Sequence, residues 1–118
     1  MDVHVQQSAD GIDRVVLAGR FDSMAAGDVD KRLGELATAP AARILVDLSQ
    51  VSFLASIGIR TLLSAARTLR KHGGKMVLLS PQAPVEEVLR ITAIESILPV
   101  FGDFEVATAA LQAGAASG

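Results

Sequence analysis

The strongest candidate for chemistry in this chain is one hydroxyl, that of Ser56. Residues 42–48 form a nearly continuous apolar run, which predicts a buried central strand followed by a short polar turn. Apolar residues then recur at helical spacing from Ile59 to Leu69, so a helix is expected to begin near Ser56. Amides at a helix start favour negative charge, and a phosphate on Ser56 would be well placed. Serine at a helix start is also a common cap, so position alone leaves both roles open.

Two charged residues are further candidates for the site. Asp22 follows a predicted second strand and, taken alone, fits an ordinary turn residue or helix cap. Arg60 begins a basic stripe that continues to Arg67 and Lys71 on the outer side of the Ser56 helix. Such a stripe is most often solvated surface, but it could also dock an acidic partner, and we expect Arg60 to contact that partner.

Other candidate chemistry is sparse. The chain has no cysteine, and His4 and His72 lack the spacing of metal ligands. Glu86 and Glu87 fit the solvated side of a helix, and no second carboxylate pair in the sequence suggests acid-base catalysis. We therefore expect no metal, no cofactor and no enzymatic activity of the chain itself.

Composition narrows the class of protein. The 118 residues suit one domain, and a core built mainly from Ala, Val, Ile and Leu, with four Phe and no Trp or Tyr, suits helices packed on a sheet. A net charge of -2 gives no general attraction to nucleic acid. With no signal peptide and no membrane-spanning run in the sequence, we expect a soluble cytoplasmic protein.

The order of predicted elements indicates an α/β fold. Strands at residues 3–7 and 15–19 are expected to pair antiparallel, and helices then alternate with strands at residues 42–48, 75–79 and 97–101. This order predicts a mixed, mostly parallel sheet of about 4–5 strands with about four helices. We expect one domain over residues 1–112 and a disordered tail over residues 113–118, which lacks bulky side chains.

Asp22 and Ser56 each follow a strand of this predicted sheet. Sites in such sheets tend to lie beyond the carboxyl ends of the strands. The two residues are therefore expected at one edge of the fold.

Several segments resemble the STAS domain family, which is shared by bacterial anti-sigma factor antagonists and the cytoplasmic tails of sulphate transporters. The pattern Asp-Leu-Ser-x-Val-x-Phe-Leu at residues 47–54, followed by Ser56 and Gly58-Ile59, is similar to the family signature. Residues 17–22 resemble its second strand and Gly-x-Leu-Asp turn, and residues 89–94 and 98–101 resemble its closing passage. The resemblance covers roughly residues 2–112.

The resemblance implies a STAS-type fold and a switch. In the family, the serine that matches Ser56 is phosphorylated by an anti-sigma factor that is itself a serine kinase, and the aspartate that matches Asp22 lies nearby. Here Ala55 stands where the commonest phosphorylated members have aspartate, and Ile57 stands in place of a second hydroxyl residue. Ser56 is therefore the only acceptor in this turn. The predicted partner-binding residues are Asp22, Ser23, Ser56, Gly58 and Arg60, with Ser56 as the phosphorylation site.

The function implied is partner switching in transcription regulation. Unphosphorylated, the domain would bind the kinase-type anti-sigma factor and release a sigma factor; phosphorylation would end this binding, and a serine phosphatase would reset it. An alternative keeps the fold without the switch, as a constitutive STAS subunit of a larger assembly such as a lipid-transport ABC system. An obligate subunit should display a larger apolar patch than a transient partner.

Overall fold

The computed structural model describes residues 1–8 and 10–116, and its elements alternate as the sequence predicts. In chain order they are β1 (Asp2–Gln7), β2 (Ile12–Phe21), α1 (Ser23–Ala37), β3 (Arg43–Leu54), α2 (Ser56–Lys71), β4 (Lys75–Leu79), α3 (Ala83–Ile91), a 3-10 turn (Ile94–Ser96), β5 (Val100–Phe101) and α4 (Phe104–Ala116).

The strands form one five-stranded sheet in the order β1-β2-β3-β4-β5. β1 pairs antiparallel with β2, and every later pairing is parallel. The predicted α/β fold with a mixed, mostly parallel sheet is therefore confirmed. Neighbouring parallel strands end at the same edge of the sheet, which places the turns after β2 and β3 beside each other.

Helices cover both faces of the sheet. On one face, α1, α2 and α3 pack against β2, β3 and β4 and bury a continuous aliphatic core around Phe21. On the other face, α4 inserts Ala107 and Leu111 against Leu45 and Val77. No helix in the described part of the chain is long and apolar enough to span a membrane.

β3 differs from its prediction. The sequence predicts a strand that ends at residue 48 and a polar turn after it, but the strand continues to Leu54 because the second half of β2 pairs with it. Two register shifts interrupt this pairing; at the second, Gly19 pairs with Val51 and Arg20 with Phe53, which leaves Ser52 as an extra residue. A bulge of this kind bends the strand and changes which side chains face outward.

The end of the chain also differs from its prediction. β5 has two residues rather than five, since a 3-10 turn and Pro99 occupy the approach to it. α4 extends through Ala116, and the disordered tail expected over residues 113–118 stays a prediction. Residues 117 and 118 lie outside the described residues.

Candidate functional site

The ends of β2 and β3 bring two helix starts together. The amide of Ala55 donates a hydrogen bond of 2.9 Å to the carbonyl oxygen of Phe21. Asp22 directly follows Phe21 and opens α1, and Ser56 directly follows Ala55 and opens α2. The structure therefore places Asp22 and Ser56 at the same edge of the sheet, next to one backbone hydrogen bond.

Asp22 caps α1. Its Oδ1 accepts hydrogen bonds from the amides of Met24 at 3.1 Å and Ala25 at 3.2 Å. Its Oδ2 lies 3.9 Å from Nε of Arg20, which forms an ion pair at the surface. The carboxylate is thus already used to stabilise the helix start, which is the ordinary role for an N-cap aspartate.

Ser56 does not cap α2. The N-cap residue is Ala55, whose backbone is extended at φ -85° and ψ 166°, and Ser56 is the first residue with helical geometry. The cap suggested by the sequence is thus displaced by one residue. Ser56 is exposed, and its Oγ forms no hydrogen bond with any residue the structure describes. Its hydroxyl is therefore available to a partner.

Gly58 fixes α2 close to the end of β2. A Cβ at this position would lie 2.7 Å from Cδ1 of Leu54 and 3.0 Å from Cδ1 of Phe21. Gly58 is buried, so this close approach depends on the absence of a side chain. Its part in partner binding stays a prediction, and its burial restricts that part to holding the Ser56 turn in place.

The remaining predicted residues, Ser23 and Arg60, are both exposed. Ser23 is the first residue of α1, so it occupies the same helical position as Ser56 does in α2. Arg60 lies one turn into α2 and forms no ion pair within the described residues. The structure thus brings four exposed or half-exposed candidates, Asp22, Ser23, Ser56 and Arg60, to two neighbouring helix starts.

Three exposed apolar side chains adjoin these helix starts along the chain. They are Met24, Phe53 and Ile57, with 90%, 39% and 37% of each residue exposed. The guanidinium of Arg20 lies over the Phe53 ring, 4.3 Å from its centroid. The sequence patterns did not identify these three residues as part of the site. For Phe53 the sequence offered little indication, because this side chain faces outward only after the bulge at Ser52.

Asp47, the first residue of the signature, has a structural role. Its carboxylate is buried and accepts hydrogen bonds from Nη2 of Arg14 at 2.7 Å and from the amide of Ser49 at 2.9 Å. Burial raises the pKa of Asp47, but these hydrogen bonds and the Arg14 charge outweigh it, so the pKa lies below its usual value. The Arg14–Asp47 pair therefore stabilises the fold at pH values above the usual pKa of aspartate. This stabilisation is lost as the pH falls through the lowered pKa of Asp47.

Within the described residues, no group of three His, Asp or Glu side chains could hold a metal ion. The polar groups at the two helix starts include the Ser56 and Ser23 hydroxyls, the Asp22 carboxylate and the guanidinium groups of Arg20 and Arg60. This set can present a hydroxyl and bind a protein surface.

Comparisons with known proteins identify the family of this chain. Residues 6–107 match the STAS domain family. BtrV of Bordetella bronchiseptica, which carries the name anti-sigma factor antagonist, is 31% identical over 103 residues, covering 87% of this chain and 89% of BtrV. The crystal structure of an anti-sigma factor antagonist from Mycobacterium paratuberculosis superposes with a TM-score of 0.81 at 25% identity, covering 94% of this chain and 93% of that one.

A more distant structure shares the fold. SpoIIAA of Bacillus, solved in its phosphorylated form, has a TM-score of 0.68 at 18% identity and covers 89% of this chain and 96% of its own. The family match spans most of the sequence, and the BtrV relationship is consistent with it. The chain therefore belongs to the STAS domain family.

Proposed function

We propose that this protein is an anti-sigma factor antagonist controlled by phosphorylation of Ser56. The observation that carries the proposal is that the Ser56 hydroxyl is exposed at the first turn of α2 and has no hydrogen-bond partner within the described residues. A serine with a purely structural role at this place would be expected to cap the helix. Here the neighbouring Ala55 occupies the cap position and offers no side-chain bond.

The surroundings of Ser56 support docking of a protein rather than of a small ligand. Met24, Phe53 and Ile57 are exposed apolar side chains, and Arg20, Asp22 and Arg60 add charges of both signs at their borders. Protein interfaces combine an apolar centre with a polar rim in this way. A partner that covers this surface also covers the Ser56 hydroxyl.

The partner is a kinase-type anti-sigma factor, which supplies the nucleotide, the metal and the catalytic base. The Ser56 oxygen attacks the terminal phosphorus of ATP, the bond from that phosphorus to ADP breaks, and the hydroxyl proton passes to a base of the partner. This chain contributes the acceptor and the docking surface only. A serine phosphatase later removes the phosphate by hydrolysis.

Phosphorylation then separates the partners. The phosphate adds about -1.5 to -2 charges at the centre of the docking surface, where desolvation and repulsion oppose binding. In the free protein, unpaired amides of the first α2 turn favour the added negative charge. The distant relative SpoIIAA has been solved in both unphosphorylated and phosphorylated forms, which supports a switch on this fold.

The proposal is tested by incubating the protein with ATP, magnesium and each kinase-type anti-sigma factor of its source organism, and then measuring intact mass. We expect wild type to gain one phosphate and the Ser56→Ala variant to gain none. The Ser52→Ala variant is the control, because Ser52 is an exposed serine of the neighbouring strand. Failure of every kinase to modify wild type would contradict the proposal and favour a constitutive subunit of a larger assembly.

A further inference from the structure

A shallow groove runs between α1 and α2, next to the Ser56 turn. It encloses about 310 Å³, and Ile57, the residue after Ser56, lines its edge. Ala26 of α1 and Thr61 of α2 form its buried floor. Because these floor residues are small, the two helices leave a space that is large enough to receive an apolar side chain.

Opposite charges border the groove. Asp30 lines it from α1 and Arg60 from α2, and both side chains are exposed. Neither residue forms an ion pair with another described residue. Two unpaired charges of opposite sign beside a floor of small side chains define a specific complementary surface.

We infer that this groove receives one apolar side chain of the anti-sigma factor, next to an acidic group that pairs with Arg60. This inference rests on the proposed function and adds the chemistry of the partner to it. The occupant is a protein segment because the groove is open and continuous with the exposed Ile57 side chain beside Ser56. Insertion of an anchor here would hold the partner against the hydroxyl that it modifies.

Gly27 keeps the groove open. It lies in the interior of α1 and lines the groove, and a Cβ built on it would meet no atom within 4 Å. Glycine is unfavourable inside a helix, so the fold itself would accept a larger residue here. A larger side chain would take up space in the groove without a clash inside the protein.

Gly27→Leu therefore tests the inference, with Gly34→Leu as its matched control. Gly34 lies in the same helix, outside the groove, and a Cβ there would also meet no atom within 4 Å. We expect the Kd for the anti-sigma factor that phosphorylates wild type to rise at least about tenfold in Gly27→Leu. We expect a smaller rise in Gly27→Ala and no rise in Gly34→Leu, while thermal unfolding shows that all three variants are folded.

The possible results distinguish the groove inference from the proposed phosphorylation of Ser56. If Gly27→Leu binds as tightly as wild type while wild type is still phosphorylated on Ser56, the groove inference is overturned and the proposed function stands. If no anti-sigma factor binds or modifies wild type, both are overturned. For the acidic group, Arg60→Glu should weaken binding more than Arg60→Gln, because repulsion is added to the lost attraction. Equal affinity of Arg60→Glu and wild type would contradict the charge assignment.

Discussion

Two helices begin side by side in this protein, and they are stabilised in different ways. The start of α1 is capped by the Asp22 carboxylate, which accepts from two backbone amides. The start of α2 has no side-chain cap, although Ser56 stands directly beside the cap position. The cap residue of α1 therefore stabilises its helix with a side chain, whereas the cap residue of α2 does not.

Packing takes the place of capping at α2. The amide of Ala55 is held by the Phe21 carbonyl, and the amides of Gly58 and Ile59 donate to the Ala55 carbonyl. Gly58 packs directly against Phe21 and Leu54. The Ser56 hydroxyl therefore lies on a backbone that is held by packing and backbone hydrogen bonds, and it forms no hydrogen bond of its own with any described residue.

The largest effect is expected at Gly58. Gly58→Ala should lower the free energy of unfolding by about 2 kcal/mol, because the added Cβ overlaps Phe21 and Leu54 in a packed core. Gly34→Ala is the control and should raise it by up to about 1 kcal/mol, because its Cβ meets open space in a helix. Urea unfolding of both variants measures these changes, and equal shifts would show that packing does not fix the start of α2.

A smaller effect is expected at Asp22. Asp22→Ala should cost about 1 kcal/mol of unfolding free energy through loss of the α1 cap. Asp22→Asn should retain most of the stability, because an amide oxygen can accept the same two bonds. If Asp22→Asn binds the anti-sigma factor as wild type does while Asp22→Ala does not, the residue acts through the helix start rather than through its charge.

Adding a side-chain cap to α2 should raise the free energy of unfolding by about 0.5 kcal/mol. The Ala55 backbone already has the extended geometry of an N-cap, so Ala55→Asp can accept from the first-turn amides. Thermal and urea unfolding would measure the gain. A loss of stability in Ala55→Asp would mean that the half-buried position of Ala55 does not tolerate a carboxylate.

The smallest effect on stability is expected at Ser56. Ser56→Ala should change the unfolding free energy by less than about 0.5 kcal/mol, because the exposed hydroxyl has no partner within the described residues. Ser23→Ala, at the equivalent position of α1, provides a direct comparison in the same urea titration. A loss of about 1 kcal/mol in Ser56→Ala would assign the hydroxyl a capping role.

Much of this arrangement could be predicted from the sequence. Helical spacing after Ser56 and the apolar run before it gave the start of α2 to within one residue, because both patterns are local. The antiparallel pairing of β1 and β2 followed from the short Asp10-Gly11 turn. The meeting of Asp22 and Ser56 followed from the shared edge of parallel strands.

Other features depended on contacts between distant segments. β3 extends to Leu54 because β2 pairs with it, and this pairing is not visible in the polar residues Ser49 and Gln50. The same pairing contains the bulge that exposes Phe53, so the apolar part of the surface was missed. The groove beside Arg60 depends on how closely α1 and α2 approach each other. Local sequence patterns do not give that distance.

We propose above that a phosphate on Ser56 controls association with the anti-sigma factor. The most direct test is the Kd of that factor for the unphosphorylated protein and for the protein carrying one phosphate on Ser56, measured at the same salt concentration. We expect at least about tenfold weaker binding of the phosphorylated protein, which corresponds to about 1.4 kcal/mol. Equal affinity of the two forms would contradict it.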